Sequence, residues 1–409
     1  MTGADMAQVR GMRVAHLIES DGPGGAERMV ASLAGELQAG GAHSVVIAPA
    51  QGEGWLAREL AGTGVAVELF RLDRAVSPGF ARWLATTLRR HRVALAHSHE
   101  FTMAVYGAWA ARQAAVPHVI TMHGSRYYMG RLRRRLALRL AAAWSGSVVA
   151  VSDTLARHLR RDLMIPARRV VTIPNGVRLS PVAHSTLREE LRLDARDQLA
   201  VAVGNLYPVK GHGDLLDALA VLDGRFPRLH VAIAGRGELE GALRDRARAL
   251  RLERRVHLLG LRSDVANVLA GADVFVLPSL SEGVPLALLE AMFAARPIVA
   301  TAVGDVPTVL GDGRIGALVP PRDPAALAVA LGGLLADPAA ARQLGAAAAQ
   351  RAAEQYGIDR MVERYLAVYR ALLEGAPGSP GLRSAHGANP VLEPREVARV
   401  EAAMGGEGA

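Results

Sequence analysis

The chain has 409 residues, of which 50% are hydrophobic and 21% charged, so it favours two globular domains over one core and excludes a largely disordered protein. It contains no cysteine, which excludes disulfides, thiolate nucleophiles and thiolate metal sites. Basic residues exceed acidic ones by 48 − 39 = 9, which is compatible with anionic membranes or phosphorylated ligands. Because no nucleic-acid-binding motif accompanies the charge, we expect no nucleic-acid partner.

Neither a secretion signal nor a membrane-spanning helix is predicted. The N-terminus lacks a basic region followed by a long apolar one, and no run of 18 or more uncharged apolar residues occurs. We therefore expect a cytoplasmic protein.

Apolar, β-rich runs alternate with helical stretches in both halves of the chain, a pattern typical of an α/β fold with parallel sheets. Strands are predicted at residues 12–19, 44–50, 65–72, 93–99, 118–123, 148–152 and 170–174, and then at 199–204, 229–235, 256–259, 274–278, 298–302 and 317–319. These runs predict one domain over 1–177, a hinge segment over 178–198 and a second domain over 199–357. A helix over 358–374 and a mobile tail over 375–409 complete the chain.

The first strand leads into a turn with glycines at positions 22, 24 and 25 and then into a helix. Glycines at such a turn let a phosphate or a sugar approach the backbone closely. The spacing is not Gly-x-Gly-x-x-Gly, which argues against a dinucleotide site. A plain tight turn is the alternative.

The predicted fourth strand ends in His97-Ser98-His99-Glu100, and the predicted fifth strand ends in His123-Gly124. These residue types can bind metals. However, only His97 and His99 share a strand face, and nothing in the sequence indicates that a third ligand converges with them. We therefore predict no metal site.

A basic amphipathic helix is predicted over residues 126–140. Its leucines and its arginines are each spaced four residues apart, at Leu132, Leu136 and Leu140 and at Arg131, Arg135 and Arg139. Such a helix could lie on an anionic membrane surface or receive a lipid-linked pyrophosphate acceptor. The alternative is the solvated face of a helix packed on the core.

The second domain opens with a strand, a glycine turn and Lys210 directly before a predicted helix. This order places a cation where a phosphate would bind. A further turn at the end of the next strand contains Gly235 and Arg236, a pattern that is weak when it stands alone.

The predicted strand that ends at residue 278 is followed by a turn and a helix. Pro285 suits the first helical position, which leaves the N–H groups of Leu286 and Ala287 free for an anion. Glu282 precedes the helix and Glu290 lies about two turns along it. Two carboxylates flanking a phosphate site could hold the hydroxyls of a sugar and of a ribose. A solvated turn and a surface helix are the alternative.

Glu282 and Glu290 resemble the Glu-x7-Glu motif of the retaining glycosyltransferases of family 4. The Gly-Gly-Ala-Glu turn at 24–27, His123-Gly124 and the segment around Lys210 follow in that family's order, between about residues 14 and 373. The resemblance implies the GT-B fold, in which two Rossmann-like domains face each other and a C-terminal helix crosses back to the first.

The resemblance also implies an activity: retaining, metal-independent transfer of a hexose from a nucleoside diphosphate sugar, with UDP or GDP as the nucleotide. No cofactor is implied. The acceptor would be lipid-linked or an oligosaccharide, in the synthesis of cell-surface polysaccharide or glycolipid, and the protein could be peripheral on the inner face of the membrane. Three residues are implied to be catalytic: His123 at the transferred sugar, Lys210 at the departing diphosphate and Glu282 at the sugar hydroxyls.

Further roles follow from the same resemblance. Glu27 and His99 are implied to border the acceptor. Donor-binding roles are implied for Gly24, Gly25, Asn205, Gly235, Arg236, Gly283, Leu286, Ala287 and Glu290. Asn205 stands where the family usually has arginine, so the charge on the diphosphate would fall more heavily on Lys210.

Other functions remain open at this point. A sugar-nucleotide epimerase or a phosphorylase could share the architecture, and the chain could be a non-catalytic nucleotide-sugar-binding partner. No residue stands out as a nucleophile, which agrees with a front-face displacement in which the leaving phosphate takes the acceptor's proton.

Overall fold

The computed structural model of the chain describes residues 9–72, 74, 76–124, 128 and 130–375. Two compact units are present: Met1–Asn175 with Ile358–Ala409, and Gly176–Gly357. The predicted hinge segment 178–198 falls within the second unit, and its role as a hinge stays a prediction. The predicted tail beyond residue 375 and the first residues of the predicted basic helix lie outside the described residues.

The first unit contains a parallel sheet of seven strands, in the order β3-β2-β1-β4-β5-β6-β7. The predicted strands are confirmed, with ends that differ by at most two residues. Their bounds are β1 (Arg13–Leu17), β2 (His43–Pro49), β3 (Ala66–Phe70), β4 (Leu95–His99), β5 (His118–Met122), β6 (Ser147–Ala150) and β7 (Val170–Thr172).

Helices cover both faces of this sheet, because alternate strand residues point to opposite sides. Ala15 and Ala96 belong to one buried cluster, whereas their neighbours Val14 and Leu95 belong to another. The described helices are α1 (Gly25–Ala39), α2 (Trp55–Glu59), α3 (Pro78–Arg90), α4 (Glu100–Ala114), α5 (Leu132–Trp144) and α6 (Asp153–Arg161).

The last described helix of the chain, which we label α15 (Ile358–Leu373), belongs to the first unit and not to the second. Its apolar face packs with Val14 and Leu95. Two of its tyrosine hydroxyls reach the sheet: Tyr369 lies 2.6 Å from Nδ1 of His97, and Tyr365 lies 3.1 Å from Oγ1 of Thr121. The predicted return of the C-terminal helix to the first domain is therefore confirmed.

The second unit contains a parallel sheet of six strands, in the order β10-β9-β8-β11-β12-β13. The strands are β8 (Gln198–Val203), β9 (Leu229–Ala234), β10 (Val256–Gly260), β11 (Val274–Leu277), β12 (Ile298–Thr301) and β13 (Ala317–Val319). The helices are α7 (Leu187–Glu190), α8 (His212–Leu222), α9 (Glu240–Ala249), α10 (Val265–Ala270), α11 (Leu286–Phe293), α12 (Val306–Val309), α13 (Pro324–Ala336) and α14 (Pro338–Gln355).

Both sheets have the strand order of a dinucleotide-binding fold, so each has a point where the chain reverses its direction of travel across the sheet. That point lies between β1 and β4 in the first unit and between β8 and β11 in the second. Loops that follow such a pair of strands diverge and leave a crevice at the carboxyl edge, where ligands bind in open α/β sheets. Each unit therefore offers one crevice for a ligand.

Close packing of α4 on the sheet yields a stability prediction. A Cβ atom on Gly107 would lie 1.9 Å from Oγ of Ser98 and 2.9 Å from Nε2 of His118. We expect Gly107→Ala to lower the free energy of unfolding by about 1–3 kcal/mol or more through overpacking, as measured by urea denaturation. Gly35→Ala in α1 is the matched control, because no atom lies within 4 Å of its added Cβ. Equal stability of the two variants would contradict this packing.

Candidate active site

The crevice of the second unit contains an ion pair between the loops that follow β8 and β11. Nζ of Lys210 lies 2.7 Å from Oε1 of Glu282, and the Ser279 hydroxyl donates to the same oxygen at 2.6 Å. The carboxylate is nearly buried while the lysine is partly open, with side-chain exposures of 9% and 25%. Within the described residues, Oε2 of Glu282 accepts no hydrogen bond, which leaves it available to a ligand hydroxyl.

Helix α11 begins one residue later than predicted. Pro285 is not its first residue but its N-cap, with an extended ψ of 130°. The carbonyl of Pro285 already accepts hydrogen bonds from the amides of Leu288 and Leu289. The amides of Leu286 and Ala287 therefore precede the first intrahelical bond and stay available for an anion, as the sequence predicted. Glu290 lies half-buried in the same helix.

Glycines let the loops of this crevice approach one another at backbone distance. A Cβ on Gly235 would lie 1.9 Å from the carbonyl oxygen of Gly204, so the turns after β8 and β9 touch. Gly304, whose φ is +55°, would place a Cβ 1.9 Å from the carbonyl oxygen of Glu282. The turn that carries Glu282 is thereby fixed by the loop after β12, and Gly283 follows it in the half-buried part of that turn.

Asn205 and Arg236 lie on the two loops that touch. The amide of Leu206 donates to the carbonyl of Arg236 at 2.9 Å, which ties the two turns together. Both side chains are half-buried. His212, which the sequence reasoning did not select, supports this loop from beneath, since its Nε2 lies 3.3 Å from the carbonyl oxygen of Asn205. Burial lowers the pKa of His212 to about 4, so it is neutral at physiological pH.

In the first unit, the predicted glycine turn after β1 caps helix α1. Gly24 is the N-cap residue, and the amide of Arg28 donates to its carbonyl. A Cβ on Gly24 would lie 2.4 Å from a carboxylate oxygen of Glu27. Glu27 is 8% exposed and folds against the turn, whereas Gly25 is exposed. A side chain at position 24 would therefore displace the carboxylate of Glu27 from its present place.

The histidines of β1, β4 and β5 converge, contrary to the expectation from the sequence. One ring nitrogen each from His16, His97 and His99 lies within 4.8 Å of the others. His16 was not anticipated, although β1 and β4 pair so that it lies opposite His97. Beside them, Nδ1 of His99 lies 3.3 Å from Nε2 of His123.

These imidazoles are neutral because they are buried. Desolvation lowers the pKa of His16 to about 3 and that of His123 to about 4. It also holds the pKa values of His97 and His99 well below the ordinary range. His99 is 0% exposed, so its predicted direct contact with an acceptor is not supported, whereas His123 is half-buried.

The histidine cluster is a poor fit to a metal ion. Both ring nitrogens of His97 already bond hydroxyl groups, those of Tyr369 and Thr121, at 2.6 and 2.7 Å. Among the described residues, only His16 and His99 of this cluster keep ring nitrogens without a protein partner, fewer than the three protein ligands of a catalytic zinc site. The absence of a metal site stays a prediction.

Two glutamates at the same edge of the first sheet were missed. Glu19 follows β1, and its carboxylate accepts a hydrogen bond from the amide of Thr102. Glu100 follows β4 with a left-handed φ of +66°, and desolvation, followed by the charge of Glu19, raises its pKa to about 8. Their positions directly after the strands that flank the reversal point are the signal that could have identified them.

Similarity to known proteins agrees with this arrangement. A family model described as "Glycosyltransferase Family 4" matches residues 23–180, and one described as "Glycosyl transferases group 1" matches residues 197–337. HepE from Anabaena, solved in complex with UDP, is 23% identical, with a TM-score of 0.77 over 88% of this chain and 100% of that one. A glycosyltransferase from Rickettsia africae is 19% identical, with a TM-score of 0.76 over 90% of this chain and 100% of that one.

The two sheets and these structural neighbours define a GT-B fold, the architecture of a large class of glycosyltransferases. A phosphatidyl-myo-inositol mannosyltransferase from Mycobacterium leprae is 30% identical over 86% of this chain and 94% of its own length. The chain belongs to the family 4 glycosyltransferases, and it is a hexosyltransferase.

The alignment with a second relative spans a smaller part of that relative. The chain is 30% identical to UDP-Gal:alpha-D-GlcNAc-diphosphoundecaprenol alpha-1,3-galactosyltransferase from Escherichia coli, over 52% of this chain and 58% of that protein.

Among the described residues, no single helix is both long and apolar enough to span a membrane. Helices α13 and α14 taken together are long and apolar enough, but they form a pair that is bent by 103°.

The buried histidines predict acid-sensitive stability. The unfolded chain protonates them near pH 6.5, whereas the folded state does so only at much lower pH, as at about 3 for His16 and His118. The unfolded state therefore binds more protons below pH 6.5, and the free energy of unfolding falls as the pH drops, by about 1.4 kcal/mol per pH unit for each such histidine. Glu19, Glu100 and Asp214 act oppositely, because their raised pKa values lower stability as the pH rises, but they are fewer than the buried histidines.

Urea denaturation between pH 7 and pH 5 measures this dependence. We expect the midpoint to fall steadily with acidification, and His16→Leu to make the slope shallower by about one proton. His184→Leu is the control, because this side chain is 82% exposed and should leave the slope unchanged. A midpoint that does not change over this range would mean that the imidazoles are not buried in neutral form.

Proposed function

We propose that this protein transfers its sugar with retention of anomeric configuration and without a metal ion, to a lipid-linked or oligosaccharide acceptor in cell-surface polysaccharide or glycolipid synthesis. The observation that carries the proposal is the pairing of Lys210 with Glu282 at the reversal point of the second sheet, beside the free amides at the start of α11.

The donor roles follow from the charges of that crevice. Lys210 supplies the positive charge that the departing diphosphate requires, and the amides of Leu286 and Ala287 add hydrogen bonds at the helix start. Oε2 of Glu282 accepts hydrogen bonds from sugar hydroxyls, and Glu290 accepts those of the ribose. Asn205, Gly235, Arg236 and Gly283 line the diphosphate. UDP is favoured over GDP, because one relative is named for UDP-Gal and HepE was solved with UDP.

Retention is proposed from the chain's place among the family 4 glycosyltransferases, and the lack of a dedicated nucleophile among the described residues of the crevice agrees with a front-face displacement. Glu282, the nearest carboxylate to Lys210, already receives two hydrogen bonds on Oε1. The bond from the anomeric carbon to the phosphate oxygen breaks, and the bond to the acceptor oxygen forms on the same face. The acceptor's proton passes to the departing phosphate, so no protein base and no metal ion is needed.

The first unit is assigned to the acceptor side. Gly24 and Gly25 let ligand groups approach the backbone, and Glu27 offers a carboxylate to an acceptor hydroxyl. His123 is assigned to the transferred sugar as a hydrogen-bonding imidazole.

Helix α5 is assigned to an anionic membrane surface, in a protein that we place on the cytoplasmic side. Its core-facing side contains Ala137, Leu138 and Ala141, whereas Leu132 and Leu136 point outward with exposures of 68% and 49%. Exposed leucines among arginines form the pattern of an interfacial helix. Relatives named for diphosphoundecaprenol and phosphatidyl-myo-inositol acceptors favour a lipid-linked acceptor.

An epimerase, a phosphorylase and a non-catalytic binding partner remain distinguishable by product. Incubation with UDP-sugars and a lipid-linked acceptor should yield a new glycoside with the donor's anomeric configuration, read by proton NMR, and its rate should be unchanged by EDTA. An epimeric nucleotide sugar, a sugar phosphate, or donor binding without turnover would each replace the proposal with the corresponding alternative.

Variants at the ion pair test the assigned roles. We expect Lys210→Ala and Glu282→Ala each to lower kcat by more than about tenfold, or roughly 1.4 kcal/mol of barrier, because the charge and the hydroxyl contact act on the transition state. Asp245→Ala is the matched control, since its carboxylate pairs with Arg248 on an exposed helix surface. Wild-type turnover in Lys210→Ala or Glu282→Ala would remove the role of that residue.

Vesicle co-sedimentation tests the membrane assignment. We expect binding to vesicles containing phosphatidylglycerol and little binding to pure phosphatidylcholine, and we expect Leu132→Ser/Leu136→Ser to weaken the former about tenfold or more. Val221→Ser/Val329→Ser is the control, because it removes two exposed apolar side chains, 63% and 77% exposed, from the second unit. Equal binding by both double variants would place the contact outside α5.

A further inference from the structure

We propose that His99 is a positioning residue that donates its Nδ1–H to Nε2 of His123 and thereby fixes His123 in the tautomer with a proton on Nδ1. The open side of His123 is then a hydrogen-bond donor. The identity of its ligand rests on the proposed function, but the tautomer does not.

The geometry places the two rings in a fixed relationship. Nδ1 of His99 lies 3.3 Å from Nε2 of His123, and the rings stack with an interplanar angle of 28° and centroids 5.6 Å apart. His99 is fully buried, whereas His123 is half-buried and makes no hydrogen bond through Nδ1 within the described part of the chain. His123 is therefore held on its inner side and open on its outer side.

Both imidazoles are neutral, because desolvation lowers the pKa of each. Each ring then carries one proton, and the contact between the rings needs one donor and one acceptor. If His99 donates, His123 carries its proton on Nδ1. If His123 donates, it has a bare Nδ1, and His99 must carry its proton on Nε2.

Burial decides between these two states. Nε2 of His99 is buried and has no partner among the described residues. A proton there would be a buried N–H without an acceptor, which is rarer in proteins than a buried acceptor without a donor and costs about 1–3 kcal/mol. The state in which His99 donates through Nδ1 avoids that donor, so it is the favoured one.

Glu100, the residue after His99, faces the backbone of His123. The backbone N–H of His123 faces the carboxyl group of Glu100 and opposes the rise in its pKa that desolvation causes. Glu100 adopts a φ of +66°, a conformation that a residue with a side chain takes at some cost in free energy. His99, the last residue of β4, and Glu100, the residue after it, thus contact the ring and the main chain of His123.

The tautomer limits what His123 can do. An imidazole that carries its proton on Nδ1 donates to a ligand oxygen and cannot take a proton through that atom. His123 is therefore a donor to the bound sugar and not a general base, so the acceptor's proton must leave by another route. This agrees with transfer of the proton to the departing phosphate.

Long-range proton–nitrogen NMR of the unliganded wild-type protein, labelled with 15N in its imidazoles, reads the tautomer directly. The His123 signals are assigned by their loss in His123→Gln. We expect a protonated Nδ1 and an unprotonated Nε2. The opposite assignment would overturn the inference, whatever the activity of the enzyme.

Variants of His99 test its positioning role. In His99→Leu we expect the His123 signals to move toward the Nε2-protonated form and kcat to fall about tenfold. His99→Asn keeps a donor at the place of Nδ1–H and should restore both readouts in large part. An unchanged His123 spectrum in His99→Leu would show that His99 does not set the tautomer.

The matched control is His118→Asn. His118 is another fully buried histidine of the same sheet, at the start of β5, and its nitrogens bond the hydroxyls of Ser98 and Ser145 at 2.8 and 2.7 Å. We expect the His118→Asn variant to be less stable than the wild type, with the His123 signals unchanged. Wild-type activity in His123→Gln with the expected tautomer would instead reject the sugar contact and leave the inference intact.

Discussion

The reversal of strand order in each sheet is the constraint from which the site follows. Right-handed crossovers carry the chain outward from β1 in one direction and from β4 in the other, so the loops after these strands separate. The same holds for β8 and β11. Loops at the carboxyl ends of the strands lie outside the apolar interior and can carry polar side chains. Lys210 and Glu282 lie after β8 and β11 at the reversal point of the second sheet, and His123 follows β5, which neighbours β4 in the first.

Close contacts between backbone turns fix the shape of the crevice in the second unit. Gly235 and Gly304 bring turns together at distances that any Cβ would prevent. The pairing of Lys210 with Glu282 also joins the loops after β8 and β11, and the Ser279 hydroxyl orients the carboxylate. A ligand enters a site whose hydrogen-bonding atoms are already placed, so less of its binding free energy is spent on ordering the protein.

The sequence predicted the strands, the return of the last helix and most site residues, because periodicity and turn chemistry are local signals. It did not predict the meeting of His16 with His97, since β1 pairs with β4 across two intervening strands in sequence. It assigned Lys210 and Glu282 to different groups of one donor, the diphosphate and the sugar hydroxyls, but did not predict that the two side chains pair directly with each other. Burial of His99 and the strained backbone of Glu100 depend on three-dimensional packing that no short motif encodes.

The polar layer beneath His123 is completed by the far end of the chain. His97 and Thr121 bond the hydroxyls of Tyr369 and Tyr365, which are 272 and 244 residues away in sequence. Without α15 these buried groups would lose their partners, and each unpaired buried polar atom costs about 1–3 kcal/mol. Because the first unit needs this helix to satisfy its interior, the helix is part of the support of His123 and not an appendage to the second unit.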